Sequence, residues 1–367
     1  MKIALVTDWY EPRIGGIELH LRDLAARLSV RGHDVTVVTP TPGSAIVDGI
    51  RVHRVNAPRA PAFGFLYTPG GIRALGQALD EIGADVAHCH VSIVSPAALG
   101  GAAHAQRLRI PTVLTFHSVV PRTGLLAASA RAALRTDRWN CIFTAVSARV
   151  ARDVQPIAGS RRISLLPNGI DHASWQRDSA RDTDDVELLS VMRLNSKKRP
   201  LALLDVMRSL RATSTRRVRL RIVGDGPLRA RLEHDSERYA LSNCVELLGH
   251  RSRAEIGALL AESHLFVLPT VRESFGLAAL EAACAGVPVV AMRASGVSEF
   301  VEHGVNGLLA SSDRDLASHV ATLVDDAAQR RRLALADRAP LARFGWSAVI
   351  DAHLTAYRDA IALRANV

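Results

Sequence analysis

Short β-branched runs alternate with helical stretches along nearly the whole chain, and the alternation stops once and restarts. In the first half, Lys2 to Thr7, Asp34 to Thr39, Ile50 to Val55, Asp85 to His90, Thr112 to Phe116, Cys141 to Ala145 and Ile163 to Leu166 read as strands. Between them Gly16 to Arg31, Gly71 to Ile82 and Pro96 to Leu108 read as helices. The polar, aperiodic stretch 171–185 suits a linker. Beyond it, Val186 to Met192, Val218 to Val223, Val245 to Leu248, Leu265 to Pro269 and Val287 to Ala291 read as strands. Helices follow at Pro200 to Ala212, Pro227 to Tyr239, Leu277 to Ala285 and, from a Ser252/Glu255 capping box, to Glu262. Such alternation implies parallel sheets built from βαβ units. The expected class is therefore α/β, with two Rossmann-like domains, 1–171 and 172–344, facing each other across a cleft.

A chain of 367 residues exceeds one ordinary domain, which agrees with two halves. No apolar run approaches the roughly 18 to 20 residues that span a bilayer. Asp8 and Glu11 interrupt the first apolar run, so a signal peptide is not indicated and a cytoplasmic location is expected. Cys89, Cys141, Cys244 and Cys284 are scattered and form no CxxC pair, arguing against a zinc site or a disulfide frame. From Arg107 to Arg162 ten arginines face only Asp137 and Asp153. Arg131, Arg135 and Arg138 would share one helix side. That face suits a peripheral contact with anionic membrane, and equally a solvated arginine-rich surface. Aromatics are 4% of the chain and do not interleave with the basic residues, so nucleic acid is not an expected partner.

Ligands of open parallel sheets collect at the carboxyl ends of strands. After the first strand, Gly15 and Gly16 allow close backbone approach at a helix start, a setting suited to phosphate or simply to a turn. His88 and His90 fall on one strand face, as a polar pair or as two of the three ligands a metal would need. His117 ends the strand Thr112 to Phe116. In the second half Arg193 and Lys198 follow a strand, where a guanidinium and an ammonium can neutralise a diphosphate, or form a surface basic cluster with Lys197 and Arg199. Gly224-Asp225-Gly226-Pro227 and Ser295-Gly296 are turns open to structural or ligand roles. Glu273 and Glu281 bracket Ser274, Phe275, Gly276 and Leu277 at a helix mouth, as the edge of a ligand site or equally as an N-terminal charge and a solvated helix residue. There the amides of residues 275 to 278 are unpaired first-turn donors.

Taken in order, Gly15-Gly16-x-Glu18, Thr115-Phe116-His117, Pro167-Asn168-Gly169-Ile170-Asp171, Arg193 with Lys198, Gly224-Asp225-Gly226-Pro227 and Glu273-Ser274-Phe275-Gly276 ending at Glu281 resemble the retaining glycosyltransferases of the GT-B fold, family 4. The resemblance covers essentially the whole chain. It implies that Glu273 contacts donor-sugar hydroxyls and Glu281 the nucleotide ribose. It implies that Arg193 and Lys198 grip the diphosphate, with amides at Phe275, Gly276, Leu277 and Gly16, beside Gly15 and Ser274. It places His117 near the sugar, the base near Gly249 to Arg251, and the last helix, 345–367, back on the first domain. In one departure, Arg199 stands where a glycine is common in relatives, which leaves the loop shape open.

The implied reaction moves a hexosyl group from a UDP- or GDP-sugar to a hydroxyl of a glycan or lipid-linked acceptor, with retention and without a metal or other cofactor. Catalysis falls to Arg193 and Lys198, which with the helix amides stabilise the leaving phosphate, and to Glu273 and His117 at the sugar. A nucleotide-sugar epimerase of the same fold and a non-catalytic nucleotide-sugar-binding subunit are the alternatives.

Overall fold

The computed structural model describes residues 1–13, 15–56, 69–92, 95–119, 135–176 and 185–365. The chain divides into two compact units, Met1–Gly169 with Trp346–Val367, and Ile170–Gly345.

The first unit holds an eight-stranded sheet. Its strands are β1 (Lys2–Thr7), β2 (Asp34–Thr39), β3 (Ile46–Val47), β4 (Ile50–Arg54), β5 (Val86–Val91), β6 (Thr112–Phe116), β7 (Ile142–Ala145) and β8 (Ile163–Leu165). Their order is β3-β4-β2-β1-β5-β6-β7-β8, parallel except for the β3–β4 pair. That antiparallel pair turns through Asp48 and Gly49, with φ of 48° and 78°, the left-handed conformations a two-residue hairpin requires. Helices α1 (Gly16–Val30), α2 (Pro69–Ile82), α3 (Pro96–Arg107) and α4 (Ala148–Ala158) supply crossovers. Helix α4 was not expected from the sequence, although both its ends carry signals. The Ser147 side chain accepts from the Val150 amide at 3.2 Å, and Gly159 closes it at φ 67°.

The second unit carries α5 (His172–Trp175), α6 (Leu201–Thr213), α7 (Arg229–Arg238), α8 (Arg253–Glu262), α9 (Leu277–Cys284), α10 (Asp313–Asp325) and α11 (Ala327–Ala334). Its six parallel strands are β9 (Val186–Val191), β10 (Val218–Val223), β11 (Val245–Gly249), β12 (Leu265–Leu268), β13 (Val289–Met292) and β14 (Gly307–Ala310). They run β11-β10-β9-β12-β13-β14. The capping box opens α8: Ser252 accepts from the Glu255 amide and Glu255 accepts from the Ser252 amide at 2.7 Å. The stretch expected as a linker starts folded, because α5 buries Trp175. Its remainder, 177–184, lies outside the described residues.

The final helix, α12 (Trp346–Ala365), belongs to the first unit and closes its core. Trp346, Val349, Ile350, Ala356, Tyr357 and Ala360 join the β1 and β2 side chains in one buried cluster. A Val or Ile side chain such as Val349 or Ile350 contributes about 1.5 to 3 kcal/mol when fully withdrawn from water. The Trp346 indole lies against Gly169, where a Cβ would fall 2.6 Å from Trp346 Cδ2. It also stacks on His20, ring centroids 5.3 Å apart.

The expected basic helix face is not continuous. Arg131 lies outside the described residues, Arg135 sits at φ 51°, and Arg138 ends a 3₁₀ turn, Thr136–Arg138. Arg161 turns its guanidinium onto the Thr136 and Asp137 carbonyls, each at 2.6 Å. Among the described residues no helix is long and apolar enough to cross a membrane.

Candidate functional site

Strand order identifies where ligands gather in the second unit. The order reverses between β9 and β12, so the loops leaving their carboxyl ends diverge and open a crevice at the switch point. Those two loops carry the expected charges. From β9 comes Arg193, exposed and without an ion pair among the described residues, followed by Lys198. From β12 comes Glu273, buried with 8% of its surface exposed. Lys198 Nζ lies 2.5 Å from Glu273 Oε2, so the fold joins residues 75 positions apart into one ion pair.

The loop after β9 is a built turn. Asn195 accepts the Lys198 amide with both its carbonyl and its side-chain Oδ1, each at 3.1 Å. Thr270 Oγ1 donates to the Lys198 carbonyl at 3.1 Å. Arg199 takes φ 57°, so the arginine adopts the left-handed backbone that glycine would reach without strain, at a cost of about 1 to 3 kcal/mol.

Glycines set the rest of the geometry. Gly276, at φ 94°, turns the chain into α9, and the amides of Phe275, Gly276, Leu277 and Ala278 meet no acceptor among the described residues. These are free first-turn donors, the groups with which a helix mouth can meet an anion. Gly296 donates to the Glu273 carbonyl at 2.9 Å and lies so close to Ser274 that a Cβ would strike its carbonyl. The Phe275 ring anchors the segment against Phe300 and Phe344, both at 5.6 Å. Glu281 lies half-buried within α9. Gly224 and Gly226 prove structural: a Cβ on Gly226 would fall 2.5 Å from the Leu194 carbonyl oxygen, and one on Gly224 would overlap that of Met192. Arg251 is exposed at the end of the β11 loop, where its Nη1 donates to the His250 carbonyl at 2.9 Å.

In the first unit Gly15 is the extended N-cap of α1. The Glu18 carboxylate folds back against Gly15 and pairs with Arg13 at 3.2 Å. His117 is not a lone histidine. Its Nε2 meets His90 Nδ1 at 2.9 Å, and its Nδ1 is buried with no partner among the described residues. His88 and His90 do share a face, ring centroids 3.9 Å apart, and His88 is satisfied on both sides by Tyr357 Oη at 2.9 Å and Thr115 Oγ1 at 2.6 Å. His353 joins them from α12, bonded to the Val349 carbonyl at 2.7 Å. Sequence reading missed His353 and Tyr357, whose i, i+4 spacing on the last helix was the available signal. Among the described residues no group of three His, Cys, Asp or Glu is placed to hold a metal ion.

Burial depresses these imidazoles: His117 to about 3, His353 to about 4, and His88 and His90 well below 6.5. They stay neutral in the fold, whereas the unfolded chain binds protons below about 6.5. Their contribution is thus complete above that pH and is lost as pH falls toward 4 and 3. Urea midpoints are expected to drop steadily from pH 6.5 to 4, and His353→Leu to flatten the slope by about one proton, about 1.4 kcal/mol per pH unit. A flat wild-type midpoint across that range would refute the account.

Two family models match in tandem, "Glycosyltransferase Family 4" over residues 14–174 and "Glycosyl transferases group 1" over 171–339. The chain belongs to the group 1, family 4 glycosyltransferases. A glycogen synthase from Mycobacterium tuberculosis is 29% identical to this glycosyltransferase, covering 97% of this chain and 94% of that protein. The phosphatidylinositol N-acetylglucosaminyltransferase gpi3 subunit of Schizosaccharomyces pombe is 25% identical over 88% of this chain and 72% of its own length. Among solved structures, Anabaena Alr3699/HepE in complex with UDP and glucose aligns with a TM-score of 0.79 at 23% identity, covering 98% and 100% of the two chains. WaaG, a glycosyltransferase involved in lipopolysaccharide biosynthesis, aligns at 0.73 with 17% identity, covering 98% and 99%. These likenesses give the glycosyltransferase its fold class, GT-B.

Proposed function

We propose that this glycosyltransferase transfers a hexosyl group from a nucleoside-diphosphate sugar to an acceptor hydroxyl with retention of anomeric configuration. The observation that carries the reading is the Lys198–Glu273 ion pair beside the unpaired amides of residues 275 to 278. Lys198, Arg193 and those amides take the diphosphate, so its leaving-group charge is met by fixed cations and dipoles rather than by a metal ion. Glu273, released from Lys198 when phosphate arrives, accepts from sugar hydroxyls. Glu281 serves the ribose and Arg251 borders the base. His117 serves the sugar and Gly15 and Gly16 the phosphate, by the family resemblance.

A uracil base is favoured by the relative whose structure contains UDP and glucose. A glycan or lipid-linked acceptor agrees with relatives named for glycogen, phosphatidylinositol and lipopolysaccharide. The surplus of arginine between residues 107 and 162 suits a cytoplasmic enzyme that meets anionic membrane peripherally.

A panel of UDP- and GDP-sugars tests the reading through thermal stabilisation. The true donor is expected to add about 2.7 kcal/mol at a hundred times its dissociation constant. Proton NMR of the product then reports the anomeric configuration. Stabilisation by no nucleotide sugar would sink the proposal, and inversion would remove the retaining mechanism. Conversion of the donor to another sugar nucleotide without an acceptor would point to an epimerase instead.

A further inference from the structure

Three contacts tie the loop after β9 to the segment after β12. Arg199 Nη1 donates to the Pro269 carbonyl at 3.1 Å, Thr270 Oγ1 donates to the Lys198 carbonyl at 3.1 Å, and Lys198 Nζ meets Glu273 at 2.5 Å. The other arm of the Arg199 guanidinium pairs with Asp313, the first residue of α10. A side chain with a free rotamer would not hold a strained left-handed backbone. Here, at φ 57°, the backbone turn is closed by the Arg199 amide on the Asn195 carbonyl at 3.2 Å and the Ala202 amide on the Arg199 carbonyl at 3.1 Å. The guanidinium adds two anchors, the Pro269 carbonyl and Asp313. Glycine in that position would give the turn its conformation with no such side-chain tether, leaving the Asn195, Thr270 and Ala202 bonds to shape the loop.

We propose that Arg199 is a positioning residue for Lys198: its guanidinium, fixed between the Pro269 carbonyl and Asp313, clamps the cation-bearing loop so that the ammonium stands ready at the diphosphate site. The inference deepens the reading of Lys198 as a phosphate-binding cation and rests on it. The clamp acts before ligand arrives, because all of its bonds are made within the protein. It reduces the ordering that binding would otherwise demand of a lysine side chain.

The test measures binding of UDP and of GDP by titration calorimetry, together with the melting temperature of the free protein, for Lys198→Ala, Arg199→Ala, Arg199→Gly and the double variant Lys198→Ala/Arg199→Ala. Lys198→Ala is expected to weaken the bound nucleotide about 10- to 100-fold, the range for losing one hydrogen bond to a charged group. Arg199→Ala should weaken it several-fold. Adding Arg199→Ala to Lys198→Ala should weaken it no further than about twofold, because the clamp works through the ammonium. Arg199→Gly should melt higher than Arg199→Ala while binding equally poorly. Independent, multiplicative losses in the double variant would overturn the proposal, as would wild-type affinity in Arg199→Gly. Unchanged affinity in Lys198→Ala would instead remove the phosphate role of Lys198, and binding of neither nucleotide by the wild type would remove the donor reading beneath it.

Discussion

Lys198→Ala is expected to lower the turnover of glycosyl transfer by about 10²- to 10³-fold, the scale on which loss of one preorganised charge-stabilising group acts, with little change in fold. The ammonium lies 2.5 Å from Glu273 in the free protein and is only partly buried, so its removal opens no apolar cavity. What it leaves is a largely buried carboxylate without its cation, next to the unpaired first-turn amides of α9. The variant therefore places an uncompensated negative charge where negative charge has to develop, and the effect falls on kcat as well as on donor affinity. Arg193→Ala should act in the same direction and less strongly, because that guanidinium is exposed and screened by solvent. Steady-state kinetics with the identified donor, beside a thermal melt, decides the matter. Wild-type turnover in Lys198→Ala would sink the site assignment.

Gly224→Ala is expected to produce the largest loss of stability of any conservative change near the site. Two independent penalties meet there. Gly224 sits at φ 124°, a backbone conformation that residues bearing a Cβ rarely adopt, and the added methyl would overlap the carbonyl oxygen of Met192. The obstacle is backbone rather than a movable side chain, so β9 and β10 must separate at their carboxyl ends. Strain of about 1 to 3 kcal/mol for the dihedral adds to about 1 to 3 kcal/mol for overpacking. Chemical denaturation should show the midpoint falling accordingly, and any variant that remains folded should bind nucleotide poorly because Arg193 follows directly on Met192. A midpoint equal to wild type would show that the close approach at Gly224 is not required.

The contrast between these two positions separates what each level of description supplies. Gly224 could be recognised as a turn from Gly-Asp-Gly-Pro, yet whether the turn held ligand or strand was open. Its answer lies in the Met192 carbonyl, 32 positions earlier, which touches it only because β9 and β10 are paired. His117 was legible as a strand-end residue, but it meets His90 only through the pairing of β5 with β6, and His353 and Tyr357 reach the same cluster at His88 only when α12 closes on the first sheet. Likewise Gly15 and Gly16 read as a turn open to phosphate, and the pairing of Glu18 with Arg13 beside it appears only in the folded chain.

By itself the sequence determined the α/β class, the strand ends at which charge collects and the glycosyltransferase family, because hydrophobic period, turn residues and helix-mouth motifs are local properties of consecutive residues. Only the tertiary structure decided that Lys198 meets Glu273, that Arg199 holds a left-handed turn between Pro269 and Asp313, and that five histidines share one buried interior. Those outcomes depend on strand order and side-chain reach. Both are set by which distant segments pack together, so no local pattern could encode them.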